Sequence, residues 1–434
     1  MVLGFGRRRR VFGIGLDGFP YSLAQKLMGE GRMPNLKRLA EEGSLKRIDS
    51  VYPTVSNVAW ASFQTGLGPG EFGVYGFAEL KPDFSIHIPN ADDLKAETLW
   101  QRLSSRGKRI VALSVPMTYP APKVNGLLVS CFLAPKLDER AVSSPDVLRK
   151  LRWTMYEIDI DPSAAYRSLD EFQGHLTRVS TRRQETALEL MGSERWDLFF
   201  VHVMDTDRIN HFMWHFQHDP DSPHGRFFLD FYSKIDDFIG RVAERLDKHT
   251  DLLVLSDHGF CDLKWEVQLN RWLKAEGYLD YENDPERMFQ AITPGSRALA
   301  LVPGRIHLLT KWRWETGAVS DVAYESLRTE IMGKLGELKD PETGEAVCNK
   351  IMKREDVFSG PYADRAPDII IDPRDGYDLK AKLGEGGLFE RGVVLDGMHT
   401  YSDAMLLTSK GLSELSEAAN ITEAGAQLAR FFLR

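Results

Sequence analysis

Cysteine is scarce in this 434-residue chain: Cys131, Cys261 and Cys348 form no CxxC pair. An odd, scattered set gives no disulfide framework and no cysteine zinc site. We read these thiols as buried or incidental. There is no stretch of 18 apolar residues, so no membrane-spanning helix is expected. Positive charge is not in excess either. The 55 Lys and Arg against 63 Asp and Glu leave a net charge of −8. That argues against a dedicated nucleic-acid binder, whose affinity rests on neutralising phosphates. It does not exclude action on small phosphates, because a bound metal can dominate the local charge. The basic run Arg7–Arg10 looks like the start of a secretory leader. However, the apolar run behind it, Val11–Leu16, stops at Asp17, and no small-residue cleavage site follows. A cytoplasmic location is the expectation, with the arginines a solvated approach to the first strand. Internal repeats and low-complexity segments are absent.

What is present is an ordinary globular balance, with 43% apolar and 27% charged residues, enough to build a sizeable core. Short apolar runs read as strands: Val11–Leu16, Arg109–Val115, Gly126–Phe132, Asp197–Met204 and Asp251–Leu255. Between them lie helical patterns over Ser22–Glu42 (broken near Gly31–Pro34), Leu169–Glu194 and Phe227–Lys248. Strands alternating with helices predict an α/β fold with a mostly parallel central sheet and helices on both faces. From about residue 262 the pattern changes. A helical Trp265–Tyr281 and a helix Val322–Leu338 are separated by Pro- and Gly-rich turns. We expect a catalytic domain over 1–261 and 350–434, a cap insertion over 262–349 and a smaller insertion over 133–168. The stretch Ala366–Asp372 reads as a late strand returning to the main core.

In open parallel sheets the working residues sit just past the carboxyl ends of the strands. Asp17 follows the first strand, Asp207 the Asp197–Met204 strand, and Asp257-His258 the Asp251–Leu255 strand. All three groups therefore fall at one sheet edge. Asp207 and His211 are four residues apart and share a helix face. Asp205 is a competing ligand, but its nearest upstream histidine, His202, lies inside the strand. Asp257-His258-Gly259 puts two metal-competent side chains at the end of an apolar strand, where they must be solvated, paired or metal-bound. With His399 in Gly-Met-His-Thr, six ligands for two divalent ions are available. Taken singly each has a plain alternative: a helix-dipole acid, a core histidine, a turn residue. Two metals about 4 Å apart are a known device for hydrolysing phosphate esters.

Such chemistry needs a nucleophile. Thr54, Ser56, Ser62 and Thr65 all lie in one stretch. Ser56 precedes a helix-like Asn57–Thr65 and fits an N-cap, which is also its plain reading. A hydroxyl at a helix N-terminus beside a metal would be ionised and aimed at phosphorus.

The whole set resembles the alkaline phosphatase superfamily, and within it the type I phosphodiesterase/nucleotide pyrophosphatase branch and a prokaryotic group of phosphohydrolases there. The matching pieces occur in family order over residues 17–399: Leu-Asp17-Gly, Thr-Val-Ser56 through Thr65-Gly66, Asp207-Arg-Ile-Asn-His211, Ser-Asp257-His258-Gly-Phe and Gly-Met-His399-Thr. The resemblance implies two zinc ions, with manganese as the alternative. Asp207, His211 and His399 would hold one. Asp17, Asp257, His258 and the Ser56 hydroxyl would hold the other. It also implies attack by Ser56 through a phosphoseryl intermediate on a small phosphate ester.

Two departures stand out. Where nucleotide pyrophosphatases carry an asparagine that donates to a phosphate oxygen, this chain has Phe77. That donor must come from elsewhere, for example the Asn57 backbone N–H or a cap residue. Asp403 stands where small residues are common, and could charge the site. The sulfatase branch is disfavoured because Ser56-Asn-Val-Ala-Trp lacks its Cys/Ser-x-Pro-x-Arg setting. The expected activity is a phosphodiesterase or nucleotide pyrophosphatase. The alternatives are a phosphomonoesterase or phosphomutase, with Arg305, Lys311 and Arg313 holding a second anionic group, and a non-catalytic binding protein. Sequence leaves the oligomeric state open.

Overall fold

The computed structural model describes residues 9–284 and 286–433, so Arg7 and Arg8 of the basic run lie outside the described residues. Arg9 pairs with Asp251 at 2.8 Å and Arg10 with Asp247 at 3.0 Å.

The Arg10–Leu16 strand is the axis of the fold. It pairs in parallel with Leu198–Val203 on one side and Thr250–Leu255 on the other. The full sheet has seven strands in the order Ser44–Ile48, Ala404–Thr408, Thr250–Leu255, Arg10–Leu16, Leu198–Val203, Ile110–Leu113, Gly126–Val129. Five neighbouring strands run parallel; Ala404–Thr408 runs antiparallel to both its partners. Parallel neighbours need crossovers, and those helices cover both faces. Phe12, Ile14 and Leu16 point to one face, packed with apolar residues of the helices Tyr21–Gly29, Pro34–Glu42, Leu169–Ser193 and Pro223–Arg245. Val11 points to the other face, packed with residues of Ser56–Thr65, Leu99–Ser105 and Ile421–Leu433. Burying each such Leu, Ile or Phe contributes about 1.5–3 kcal/mol. The α/β architecture expected from the alternating pattern is the one found.

Register places the functional edge. Leu16 lies opposite Val203, and Gly15 opposite Leu255. The three strands thus end at one level, and the segments leaving their carboxyl ends converge.

A second apolar cluster lies under two further sheets. One orders Ala298–Leu301, Arg305–Leu308, Ile369–Pro373 and Cys348–Lys353; the other orders Tyr377–Lys380, Trp265–Gln268 and Phe389–Glu390. Two expectations are corrected here. Trp265–Tyr281 is not one helix but a strand followed by the short helix Leu269–Ala275. Its first four residues pair with Tyr377–Lys380 and two of them, Glu266 and Val267, also with Phe389–Glu390, which overrides local helical periodicity. The Ala366–Asp372 strand does not return to the main sheet; it pairs with Arg305–Leu308 and Cys348–Lys353. A boundary at residue 349 therefore divides one sheet. Within 133–168, the helix Pro145–Trp153 sends Val147, Leu148 and Leu151 into the main core, as do Tyr156, Ile158 and Ile160 farther on.

Candidate metal centre

Asp17 is wholly buried at the end of the central strand. Its position depends on a glycine of that strand, Gly15. Gly13 and Gly15 leave space that aromatic rings fill: a Cβ on Gly15 would lie 2.4 Å from the Trp60 ring. Trp60 therefore lies across the strand, and its indole N–H donates to Asp17 Oδ2 at 2.9 Å. His202 stands opposite Gly15 on the neighbouring strand, and its Nε2 meets the same oxygen at 2.7 Å. The other oxygen, Oδ1, accepts from the Ser56 hydroxyl at 3.0 Å and lies 3.5 Å from His258 Nε2. Asp257 Oδ1 accepts the Gly18 N–H, which a left-handed glycine at φ +60° presents.

The second triad is built on the helix Asp205–Met213, where Asp207 and His211 share a face. His399 is delivered by a different device. The Gly397–Thr400 strand pairs antiparallel with Gly259–Asp262, setting His399 opposite Phe260 and beside His258. His399 Nε2 lies 3.2 Å from Asp207 Oδ1 and 3.0 Å from His211 Nε2. Within each triad, Asp17/Asp257/His258 and Asp207/His211/His399, one donor atom per residue lies within 4.8 Å of the others. The two triads touch: the rings of His258 and His399 stack at 3.7 Å between centroids.

The donor set fits divalent cations on its own geometry. Each imidazole turns Nδ1 to a backbone carbonyl: His211 to Gly397 at 3.1 Å, His258 to Gly259 at 3.1 Å, His399 to Thr54 at 3.4 Å. A carbonyl can only accept, so Nδ1 carries the hydrogen and Nε2 offers a lone pair inward. Two such lone pairs 3.0 Å apart on His211 and His399 repel unless a proton or a metal lies between them. Asp257 Oδ2 is buried without a hydrogen-bond partner among the described residues, a costly arrangement without a cation. Electrostatics agrees. Burial, with Asp17 adding to it, pushes the Asp257 carboxyl well above its ordinary value. Burial and then His399 push His258 down to about 3. Burial also disfavours charge on Asp207, but His211 and His399 outweigh it and hold that carboxyl well below the ordinary range.

Ser56 opens the helix Ser56–Thr65 as its first helical residue, after Val55. It is not the N-cap expected from sequence. Its hydroxyl turns instead to Asp17, with His258 Nε2 at 3.4 Å. The Thr54 hydroxyl points elsewhere and donates to the Val51 carbonyl at 3.1 Å. Asn57 is fully buried, and its side-chain amide has no partner among the described residues. Phe77 packs edge-on against Phe132 and lines a cleft of about 330 Å³ that runs past His211 and His399 to the second apolar body.

The profile of the type I phosphodiesterase/nucleotide pyrophosphatase family matches residues 11–402. The chain belongs to that family. Its fold agrees with that of solved structures. Phosphonoacetate hydrolase from Sinorhizobium meliloti 1021, solved with phosphonoacetate, superposes with a TM-score of 0.65 at 16% identity, over 98% of this chain and 96% of that one. Murine ectonucleotide pyrophosphatase/phosphodiesterase 5 gives 0.58 at 15% identity, over 98% and 95%. Family membership makes the chain a hydrolase of the phosphoesterase class, and the family is metal-dependent. Among the described residues no helix is long and apolar enough to cross a membrane.

For this family member, sequence reasoning passes over residues that hold the site. His202 lies inside a strand by its pattern, yet it orients Asp17. Its signal is a lone imidazole in an apolar strand that must satisfy a polar atom. Thr206 and Asn210, again four apart, tie the same helix to the Asp17–Gly18 turn, donating to the Asp17 carbonyl at 2.6 Å and the Gly18 carbonyl at 2.8 Å. Asp205, the rival ligand, is bound instead to Arg183 at 3.2 Å. Asp403 does not charge the site. It accepts from the Ser22 N–H at the start of the Tyr21–Gly29 helix and pairs with Arg47. Arg305 donates to the Val302 and Ala78 carbonyls, and Arg313 to the Arg365 and Ala366 carbonyls. These two are not the cleft's cations; Lys350 and Lys380 line it.

Proposed function

We propose that the chain is a phosphodiesterase using Ser56 as nucleophile and two divalent cations, zinc or manganese. Asp17, Asp257, His258 and the Ser56 hydroxyl would hold one cation; Asp207, His211 and His399 would hold the other. Bound there, the cations would supply Lewis acidity, favouring the serine alkoxide and neutralising phosphoryl charge. The chain's own residues do the rest. Asp17 fixes the Ser56 hydroxyl through the hydrogen bond to Oδ1. Ser56 Oγ attacks phosphorus in line; the Oγ–P bond forms as the bond to the leaving alkoxide breaks. Water then cleaves the phosphoserine, restoring the hydroxyl and releasing the monoester.

The observation that carries this reading is the place of the Ser56 hydroxyl, 3.0 Å from Asp17 and 3.4 Å from His258, where two donor triads meet. The cleft favours a diester over the alternatives. It offers the parallel rings of Tyr52 and Tyr401, stacked at 4.1 Å, as an apolar wall for a second ester group. Its lining carries four carboxylates, Asp49, Asp372, Asp375 and Asp378, against two lysines, Lys350 and Lys380, among the described residues. That balance disfavours a substrate with a second phosphate, and so a sugar-phosphate mutase. The test compares bis-p-nitrophenyl phosphate with p-nitrophenyl phosphate on zinc- or manganese-loaded protein. Preference for the diester is expected; a strong monoester preference overturns the proposal. Protein that takes up no metal and turns over neither would be a binding protein instead.

A further inference from the structure

Two arginines, the buried Arg183 and the partly buried Arg208, flank Asp159 in the 133–168 segment, and they differ in one respect. Arg183 uses all three of its nitrogens: Nε on the Glu157 carbonyl at 3.0 Å, Nη1 on Asp205 at 3.2 Å, and Nη2 on the Ile158 carbonyl. Its role in the structure is complete. Arg208, the residue after Asp207, does not use its donors fully. Nη2 donates to Asp159 at 2.7 Å. Nε is buried without a hydrogen-bond partner among the described residues. Nη1 is 3.8 Å from Asp207 Oδ2, beyond hydrogen-bond range. The side chain keeps 18% of its surface open, and its guanidinium lies over the Phe132 ring, 5.5 Å from the centroid. Phe132 is the ring that packs on Phe77 of the cleft. A permanently charged group with spare donors thus stands beside a site for an anion, on the side where Phe77 offers no polar atom.

Resting on the phosphoesterase reading above, we propose that the Arg208 guanidinium donates to a non-bridging phosphoryl oxygen of the bound ester. It would stabilise the charge that develops there during transfer. Phosphoryl transfer depends on such fixed donors, and loss of one typically costs about 10²–10³ in rate. Asp159 is then a positioning residue that holds the fork by one nitrogen and leaves the others free. The competing role is an ion pair that only steers Asp207, and the two roles separate in measurement.

The experiment uses the full chain loaded with zinc. Metal per chain, orthovanadate binding by calorimetry and diester kcat are measured for wild type, Arg208→Gln and Arg208→Lys. Asp159 keeps Arg183 at 3.6 Å in these variants, so no lone carboxylate is stranded. For Arg208→Gln we expect unchanged metal content, vanadate binding weakened by about 10²-fold or more, and kcat reduced by a like factor. Arg208→Lys should recover part of the loss and serves alone if the Gln variant does not fold. Vanadate affinity and kcat within threefold of wild type would overturn the proposal. Metal loss in step with activity loss would overturn it too, since Arg208 would then act only through Asp207. Wild-type protein that binds metal but not vanadate would instead remove the phosphoesterase reading.

Discussion

Adding one methyl group at Gly15 should disable a metal site two residues away without touching a ligand. A Cβ there would lie 2.4 Å from the Trp60 ring. That ring cannot yield freely, because it is fully buried and edge-on to His202, Phe63 and Phe200. Overpacking of this kind costs about 1–3 kcal/mol. Displacing the indole also breaks its hydrogen bond to the Asp17 carboxylate, about 1.5–3 kcal/mol for a charged acceptor. Gly15→Ala should therefore lose about 2.5–6 kcal/mol of stability, a large share of a typical total. With Asp17 Oδ2 held by His202 alone, affinity at the Asp17/Asp257/His258 site should fall about 10–100-fold. Gly13→Ala is the matched control. Its Cβ would lie 2.3 Å from Phe200, a ring with no hydrogen bond to a ligand. It should lose the overpacking part only and bind metal normally. Urea unfolding in chelator gives the stabilities, and zinc titration calorimetry gives the affinities. Gly15→Ala binding within twofold of wild type, or both variants losing metal alike, would refute the argument.

Ser56→Ala should lower diester turnover by about 10³-fold or more with metal content almost unchanged, whereas Thr54→Ala should stay active; steady-state kinetics with metal analysis decides, and full activity in the serine variant would move the nucleophile elsewhere. In metal-free protein the Asp257 carboxyl should contribute stability that falls as pH rises, against the opposite contribution of His258, pushed down to about 3. The Asp257 carboxyl sits above its ordinary 3.8 in the fold, through burial and then Asp17. At this group the folded chain binds more protons than the unfolded one, and its contribution to stability declines from about pH 4 up to the raised value. Unfolding midpoints in chelator at about pH 5 and about pH 8 test this. Asp257→Asn should remove that decline, so stability should change less negatively with pH than in wild type, and an equal slope in that variant would sink the assignment.

Most of the catalytic body is legible in the sequence because its information is local. Apolar runs ending in Asp17, Asp207 and Asp257-His258 announce parallel strands with their working ends, and parallel topology then gathers those ends. The i, i+4 spacing of Asp207 and His211 survives into a real helix face. The illegible parts depend on pairing across long stretches of chain. Trp265–Gln268 is a strand because Tyr377–Lys380 and Phe389–Glu390 flank it, and neither partner is visible from a local window. Ile369–Pro373 reads as a core strand because it is one, of a different core. His202 and Trp60 escape notice because their meaning lies in the missing side chain of Gly15 and in a carboxylate that sequence spacing does not bring near.

The ribbon formed by Gly259–Asp262 and Gly397–Thr400 pairs Asp262 directly with Gly397. The polypeptide thus leaves the metal centre and comes back to it at a single rung, with His258 and His399 just inside. Everything between is an excursion closed at its base. Its size and shape can change without moving the two imidazoles, since closure entropy grows only slowly with loop length. A shortened protein joining these two strands through a tight turn would keep both ligands in register while opening the cleft to solvent. His258 and His399 thus keep their register whatever the length of the excursion between them.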